Sequence, residues 1–441
     1  MDIYNFVFAV LLLFGIGFFS INIRKIIRNI NLGTAINRSD NSSKRWANMA
    51  IIALGQSKMI KRPFAGILHI IVYLGFVIIN IEVIEIIVDG LFGTHRVLSF
   101  MNGFYDFIIG SFEVLALLVL IAVLIFFARR NIIKLNRFVH SDLKGWPKSD
   151  ANYILYFEIV LMSLFLLMNA ADYHLQLASY SHYKHAGTFP ISQFIEPIFN
   201  GISNTNVAFV ERTAWWLHIT GILIFLNYLY YSKHLHILLA FPNTYFADLN
   251  AKGKLDNLEA VTNEVKLMLD PNANPYAASD NVENSVPSKF GASDVQDLNW
   301  VQLMNAYSCT ECGRCTSVCP ANQTGKKLSP RKIMMDTRDR LQEVGKNIDK
   351  NKGVFVPDTK SLLNDFITPE ELWACTTCNA CVEECPINIS PLSIIMDMRR
   401  YLVMEQSAAP MPLNTMMSNI ENNGAPWQYN QQDRLNWKNE Q

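Results

Sequence analysis

Residues 64–88 read FAGILHIIVYLGFVIINIEVIEIIV, a stretch in which only His69, Glu82 and Glu85 are readily ionised. About 20 apolar residues cross the hydrocarbon of a bilayer as an α-helix. In lipid the backbone must satisfy its own hydrogen bonds, which a helix does within one segment. The stretch therefore predicts a membrane-spanning helix. Runs of the same kind occupy 4–23, 107–127, 153–171 and 214–231, the last extending toward Ala240. One such run would also suit a buried helix of a large soluble core. Five within the first 240 residues predict an all-α, five-helix transmembrane bundle.

Composition agrees. Half of the 441 residues are hydrophobic and 17% are charged, below the roughly 25% of an ordinary soluble domain. A formal net charge of zero argues against a nucleic-acid binder. The loop after the first span carries Arg24, Lys25, Arg28, Arg38, Lys44, Arg45, Lys58, Lys61 and Arg62. The loop after the third carries Arg129, Arg130, Lys134, Arg137, Lys144 and Lys148. The other loops hold little more than Arg96, Lys184 and Arg212. The positive-inside rule then predicts a multi-pass protein of the inner (cytoplasmic) membrane, with its N-terminus outside and its C-terminal half in the cytoplasm. No small-residue cleavage site follows the first span, which reads as a retained anchor.

Ionisable groups inside spans are costly and therefore informative. His69 lies near the inner end of the second span, His218 near the outer end of the fifth, and His236 near or just beyond its inner end. At about 3.6 residues per turn, the 18 residues between His218 and His236 place both on one face of a continuous helix, about 27 Å apart, with His234 pointing elsewhere. Two histidines so placed, one per leaflet, suit axial ligation of stacked b-type haems. His69 and His236 match in depth and are expected to clamp one iron. For an outer haem His174 is the available partner of His218, because Ile79 and Asn80 stand where a second histidine of the second span would fall. A five-coordinate outer haem, or none, stays open. The bland alternative is a set of isolated histidines bonded to neighbouring helices. Glu82, Glu85, Glu113 and Glu158 read equally as proton carriers for a quinone and as groups paired with polar neighbours.

All eight cysteines lie in the other half. Cys309-Thr-Glu-Cys312-Gly-Arg-Cys315-Thr-Ser-Val-Cys319-Pro320 recurs as Cys375-Thr-Thr-Cys378-Asn-Ala-Cys381-Val-Glu-Glu-Cys385-Pro386. Three thiolates two residues apart wrap three corners of a cubane, and the fourth, followed by proline, serves the other cluster. One [4Fe–4S] cluster is thus assigned to Cys309, Cys312, Cys315 and Cys385, and the second to Cys375, Cys378, Cys381 and Cys319. Zinc, which needs four ligands per site, leaves the third evenly spaced cysteine of each run unexplained. Helical patterns run through 330–344 and 391–404. The stretch 243–299 is polar, with one helical candidate at 255–269, and reads as an arm. The expected domains are a membrane domain (1–240), a polar arm (241–299), a two-cluster α-helical ferredoxin (300–405) and a tail (406–441).

No Gly-rich dinucleotide fingerprint, GxxxxGK[ST] loop or HExxH is present, so chemistry on a soluble substrate is assigned to a partner. The expected role is electron transfer between a cytoplasmic redox partner and membrane quinone, through two clusters and b-type haem. The alternative is a membrane-tethered iron–sulfur redox sensor.

With these residues in view, a resemblance can be stated. Five spans with His218 and His236 spaced as above, and Ser232-Lys-His-Leu-His236 at the end of the last, resemble the γ subunit of respiratory nitrate reductase. In that family a basic residue after serine precedes the inner-haem ligand by three, which favours His236 over His234. The approach to the second span, Gly55-Gln56-Ser57-Lys58 and Arg62 through His69, resembles fused membrane iron–sulfur oxidoreductases related to heterodisulfide reductase. The cysteine half is similar to the C subunit of heterodisulfide reductase. The γ pattern has two histidines on its second helix and this chain has only His69, a departure that bears on the second haem. The tail, Asn419-Ile420-Glu421-Asn422-Asn423-Gly424-Ala425-Pro426-Trp427 with Arg434 and Trp437, looks like the junction that precedes cysteine-rich CCG domains in longer relatives. The resemblance implies a separate CCG-domain iron–sulfur subunit docking there; the alternative for the tail, from its Asn and Gln content, is simple disorder. The electron-transfer reading takes that subunit or a flavoprotein as donor, with menaquinone or another quinone in the membrane.

Overall fold

The computed structural model describes residues 2–271 and 289–439. Among them there is no β-strand, only two isolated bridges, and the chain is all-α as expected. Five helices are long and apolar enough to cross a membrane: α1 (Ile3–Ile30), α2 (Pro63–Phe92), α3 (Gly103–Asn131), α4 (Trp146–Leu177) and α5 (Asn204–Tyr228). The first four run beyond both ends of the apolar runs that announced them. Pro63 opens α2 at the position where proline's missing N–H costs nothing. Gly93, with φ +72°, closes the same helix in the left-handed conformation glycine accepts. Helices α2 and α3 cross closely at Gly75, where an added Cβ would lie 2.3 Å from Val119 Cγ2.

The fifth span departs from expectation. Helix α5 starts at Asn204, ten residues before the apolar run, and stops at Tyr228. Two 3₁₀ turns, Leu229–Tyr231 and Lys233–Leu235, follow before helix α6 (His236–Tyr245) begins. The break has a local cause. Asp150, near the start of α4, accepts hydrogen bonds from Tyr228 Oη (2.6 Å), Ser232 Oγ (2.7 Å) and the Lys233 amide (3.1 Å). A buried carboxylate that captures these donors competes with the helical ladder. His218 and His236 therefore do not share one continuous helical face, and His218 sits in the middle of α5 rather than at an outer end.

The C-terminal half packs on one end of the bundle. Helices α7 (Trp300–Ser308), α8 (Pro330–Lys350) and α9 (Pro391–Met404) carry its core. Ser329 and Ser390 cap α8 and α9, each followed by proline at the first helical position. The largest buried core is continuous across both halves: Ile26, Ile30, Phe225, Leu229 and Leu235 pack with Val301, Leu303, Tyr307 and Ile333. Helix α8 meets α1 where Gly345 faces Asn29, and a Cβ there would lie 2.4 Å from Asn29 Nδ2. Of the expected arm, residues 259–269 form a helix, while 272–288 lie outside the described residues.

Candidate functional site

The two cysteine runs fold alike. In the first, Glu311 (φ +55°) and Gly313 (φ +73°) are left-handed; in the second, Thr377 (φ +56°) and Asn379 (φ +59°) take the same places. Glycine and asparagine tolerate this conformation, whereas for glutamate and threonine it is unfavourable and must be held by the surroundings. Two left-handed residues among three cysteines curl each loop around a common centre. Cys309, Cys312, Cys315 and Cys385 line one cavity together with Cys381. Cys319 is an electrostatic neighbour of both Cys375 and Cys381. The thiols are thus grouped crosswise between the two runs.

Burial pushes the Cys309 and Cys381 thiols up to about 12 and Cys385 to about 11. Such thiols give up their protons readily only to a metal that takes their place. Among the described residues no three His, Cys, Asp or Glu side chains are gathered at single-ion distance. The donor set suits a cubane, which spreads its four thiolates wider than one ion does. Each centre has one buried cysteine, Cys309 in the first and Cys319 in the second, but only the second has one open to solvent, Cys378.

Above the first run, His69 of α2 and His236 at the start of α6 face each other with ring centroids 6.5 Å apart. Two imidazoles bonded to one iron from opposite faces place their centres roughly 6–6.5 Å apart, from metal–nitrogen bonds of about 2 Å. His236 Nδ1 lies 3.2 Å from the Lys233 carbonyl. That contact fixes the tautomer with Nε2 free to ligate. His69 Nδ1 is buried without a hydrogen-bond partner. These residues fit one haem.

The expected outer pair is not formed. His218 Nδ1 contacts the Leu161 carbonyl at 3.1 Å, and Leu161 lies thirteen residues before His174 on α4, about 20 Å along the helix axis. His174 is instead bonded to Glu196 (2.6 Å) and packs on Phe199. The pairing of His174 with His218 is therefore corrected: helix register separates them. His234 is also corrected. The 3₁₀ turn brings its ring to 5.2 Å from that of His236 and against Phe225, so it does not point away. Of the four carboxylates, Glu85 accepts from the Leu98 amide and Tyr105, and Glu113 from the Ile191 and Ser192 amides.

Of the residues joining the histidines to the cysteines, Lys233 entered the sequence reading as the basic residue three before His236, whereas Glu311, Arg314 and Arg338 were not singled out. Lys233 reaches Glu311, inside the first cysteine run, and donates to the Pro147 carbonyl at 2.7 Å. Glu311 also pairs with Arg338 of α8 at 2.8 Å. Burial works against the Glu311 carboxylate, but Lys233 and Arg338 hold it below the ordinary range. Arg314, between Cys312 and Cys315, donates to the Lys58 carbonyl (3.2 Å) beside Met59, just before α2. Many loop cations counted toward membrane orientation also bind this half: Arg28 pairs with Asp349, Lys61 with Glu383 and Arg62 with Glu384. The only sequence signal for Glu311 and Arg314 is their place inside the motif.

Residues 308–389 match the family described as a 4Fe-4S dicluster domain. Over 426 residues the chain is 32% identical to the probable iron-sulfur-binding oxidoreductase FadF of Bacillus subtilis, covering 90% of this chain and 54% of that one. It is 27% identical to the EtfAB:quinone oxidoreductase of Syntrophomonas wolfei, covering 92% and 55%. Over 163 residues it is 34% identical to the probable membrane-anchored ferredoxin of Chromohalobacter salexigens, covering 34% of this chain and 24% of that protein. The chain spans about half the length of the first two. No solved structure matches it. The chain is thus related to iron–sulfur electron-transfer proteins, and its cysteine half carries the 4Fe–4S signature.

Proposed function

We propose that this chain passes electrons between a soluble redox partner and membrane quinone, with two [4Fe–4S] clusters and one b-type haem as its relay. Bound, these groups supply one-electron redox chemistry. The first cluster is assigned to Cys309, Cys312, Cys315 and Cys385, the second to Cys375, Cys378, Cys381 and Cys319, and the haem to His69 and His236. The observation that carries the reading is the His69–His236 pair at ligating separation, packed directly above the first cysteine run through Lys233, Glu311 and Arg314. What the residues do is hold: Glu311 ties the cluster loop to the turn that bears His236, and Asp150 shapes that turn.

The exposed second run, at Cys378, is the side for the soluble partner. A CCG-domain protein or an electron-transferring flavoprotein fits there, and the exposed Trp427 and Trp437 of the tail offer it an apolar surface. The quinone assignment draws on the relative named for quinone, and menaquinone is the proposed form. A reduced-minus-oxidised optical spectrum of the purified protein, taken with electron paramagnetic resonance of the clusters, tests the relay. Bands of b-type haem beside two cluster signals are expected. Clusters without haem would leave the redox-sensor reading in its place.

A further inference from the structure

At the end of the bundle away from the cysteines, α1, α2, α4 and α5 surround a cavity of about 1360 Å³. Its walls combine aromatic rings, among them Phe8, Trp215 and Trp216, with a set of buried charges. Most of these are spoken for. Arg96 is bonded to Asp172 (2.5 Å), Asn169 (3.0 Å) and Tyr105 (3.2 Å), and Glu85 to Leu98 and Tyr105. Glu82 differs. It is 3% exposed, lines the cavity, and its Oε2 is buried with no hydrogen-bond partner. A buried polar atom left unpaired is costly, so it points to something that completes it.

The chemistry narrows what that is. An anionic headgroup would meet two arginines already committed, Arg96 to Asp172 and Arg212 to Glu211, and a carboxyl that repels it. A neutral ligand with a hydroxyl or carbonyl oxygen, an aromatic ring for the tryptophans and an apolar tail fits instead. Tyr4 and Phe209, both on the rim, are 72% exposed on the surface that lipid covers, and give such a tail a way in from the bilayer. Trp215 lies one helical turn before His218, so the cavity adjoins the middle of α5.

We infer that this cavity binds the quinone headgroup and that Glu82 exchanges a proton with it. The inference rests on the quinone reading above. Quinone, two electrons and two protons give quinol. The two electrons are those the proposed relay delivers from the soluble redox partner, which is oxidised as the quinone is reduced. One proton comes from the Glu82 carboxyl and one from water at the cavity mouth, which also restores Glu82. Quinol oxidation follows the same path in reverse.

The test is a fluorescence titration of the full chain in lipid nanodiscs with 2-heptyl-4-hydroxyquinoline N-oxide, a quinone analogue quenched on binding. Saturable binding is expected, weakened at least tenfold by Glu82→Gln and by Ala208→Phe, which fills the cavity, with the cluster resonances unchanged. Wild-type affinity in both variants would overturn the site. Reoxidation of the dithionite-reduced chain by menadione separates the two readings. If it proceeds at the wild-type rate in both variants, this site falls and the quinone reading stands. If the unaltered chain neither binds the analogue nor reacts with menadione, both fall.

Discussion

The two ends of the helical bundle are built on opposite plans. At the end that carries the cysteine half, the groups that join the two halves are paired: Lys233 with Glu311, Glu311 with Arg338, and Asp150 with two hydroxyls and one backbone amide of the turn before α6, while two histidines face each other across the width of one iron. At the far end a large cavity persists, one carboxyl oxygen is unpaired, and His174 and His218 stand about a helix half-length apart. The near end suits groups that are held for the life of the protein. The far end suits a molecule that comes and goes.

That contrast is easiest to break at the histidines. His69→Ala and His236→Ala should each abolish the same haem, whereas His174→Ala should leave haem content unchanged, all read by pyridine haemochrome assay. Retention of haem after either near-end substitution would dissolve the pair. Next, Cys319→Ser should lower non-haem iron from roughly eight to roughly four atoms per chain, with loss of the resonance of the cluster held by Cys375, Cys378 and Cys381. Loss confined to the other cluster would show that the runs are not crossed.

Lys233→Met leaves Glu311 buried beside only one cation. Breaking a buried pair in this way costs about 3–5 kcal/mol, read as a lower unfolding midpoint. The double variant with Glu311→Gln should cost less than the two singles together, since both disrupt one contact. Gly345→Ala forces a methyl against Asn29 and should weaken the packing of α8 on α1 by about 1–3 kcal/mol, detectable as faster proteolysis between the halves. Lys61→Ala removes an ion pair whose partners are 45% and 42% exposed, and should change stability by less than about 1 kcal/mol. An effect as large as that of Lys233→Met would mean that the rim, rather than the buried strut, carries the docking.

The helices were legible because bilayer thickness and helical rise set a minimum apolar length that few other structures require. Their ends were less so. Helix α4 begins with Trp146-Pro-Lys-Ser-Asp150, and α5 with Asn204-Thr-Asn206, polar turns that periodicity in a hydrophobic window does not see. The duplicated cysteine runs were legible as runs, since local spacing sets which three thiols can wrap one centre, whereas the approach of Cys385 to the first run depends on packing. The His69–His236 pairing was approached through depth, which depends only on position along a span.

The break after Tyr228 was not legible, and it undid two expectations at once. It depends on Asp150, nearly eighty residues away, reaching across to capture three donors, and no count of residues per turn contains that contact. The same holds for Glu311: its neighbours mark it as part of a cluster loop, but only the packed structure supplies Lys233 from one side and Arg338 from the other. Local sequence thus determined which segments are apolar helices and which cysteines form each run, because both follow from short-range geometry. Tertiary packing decided where the last span breaks, which histidines meet and which carboxyl stays unpaired, because each depends on groups brought together from distant parts of the chain.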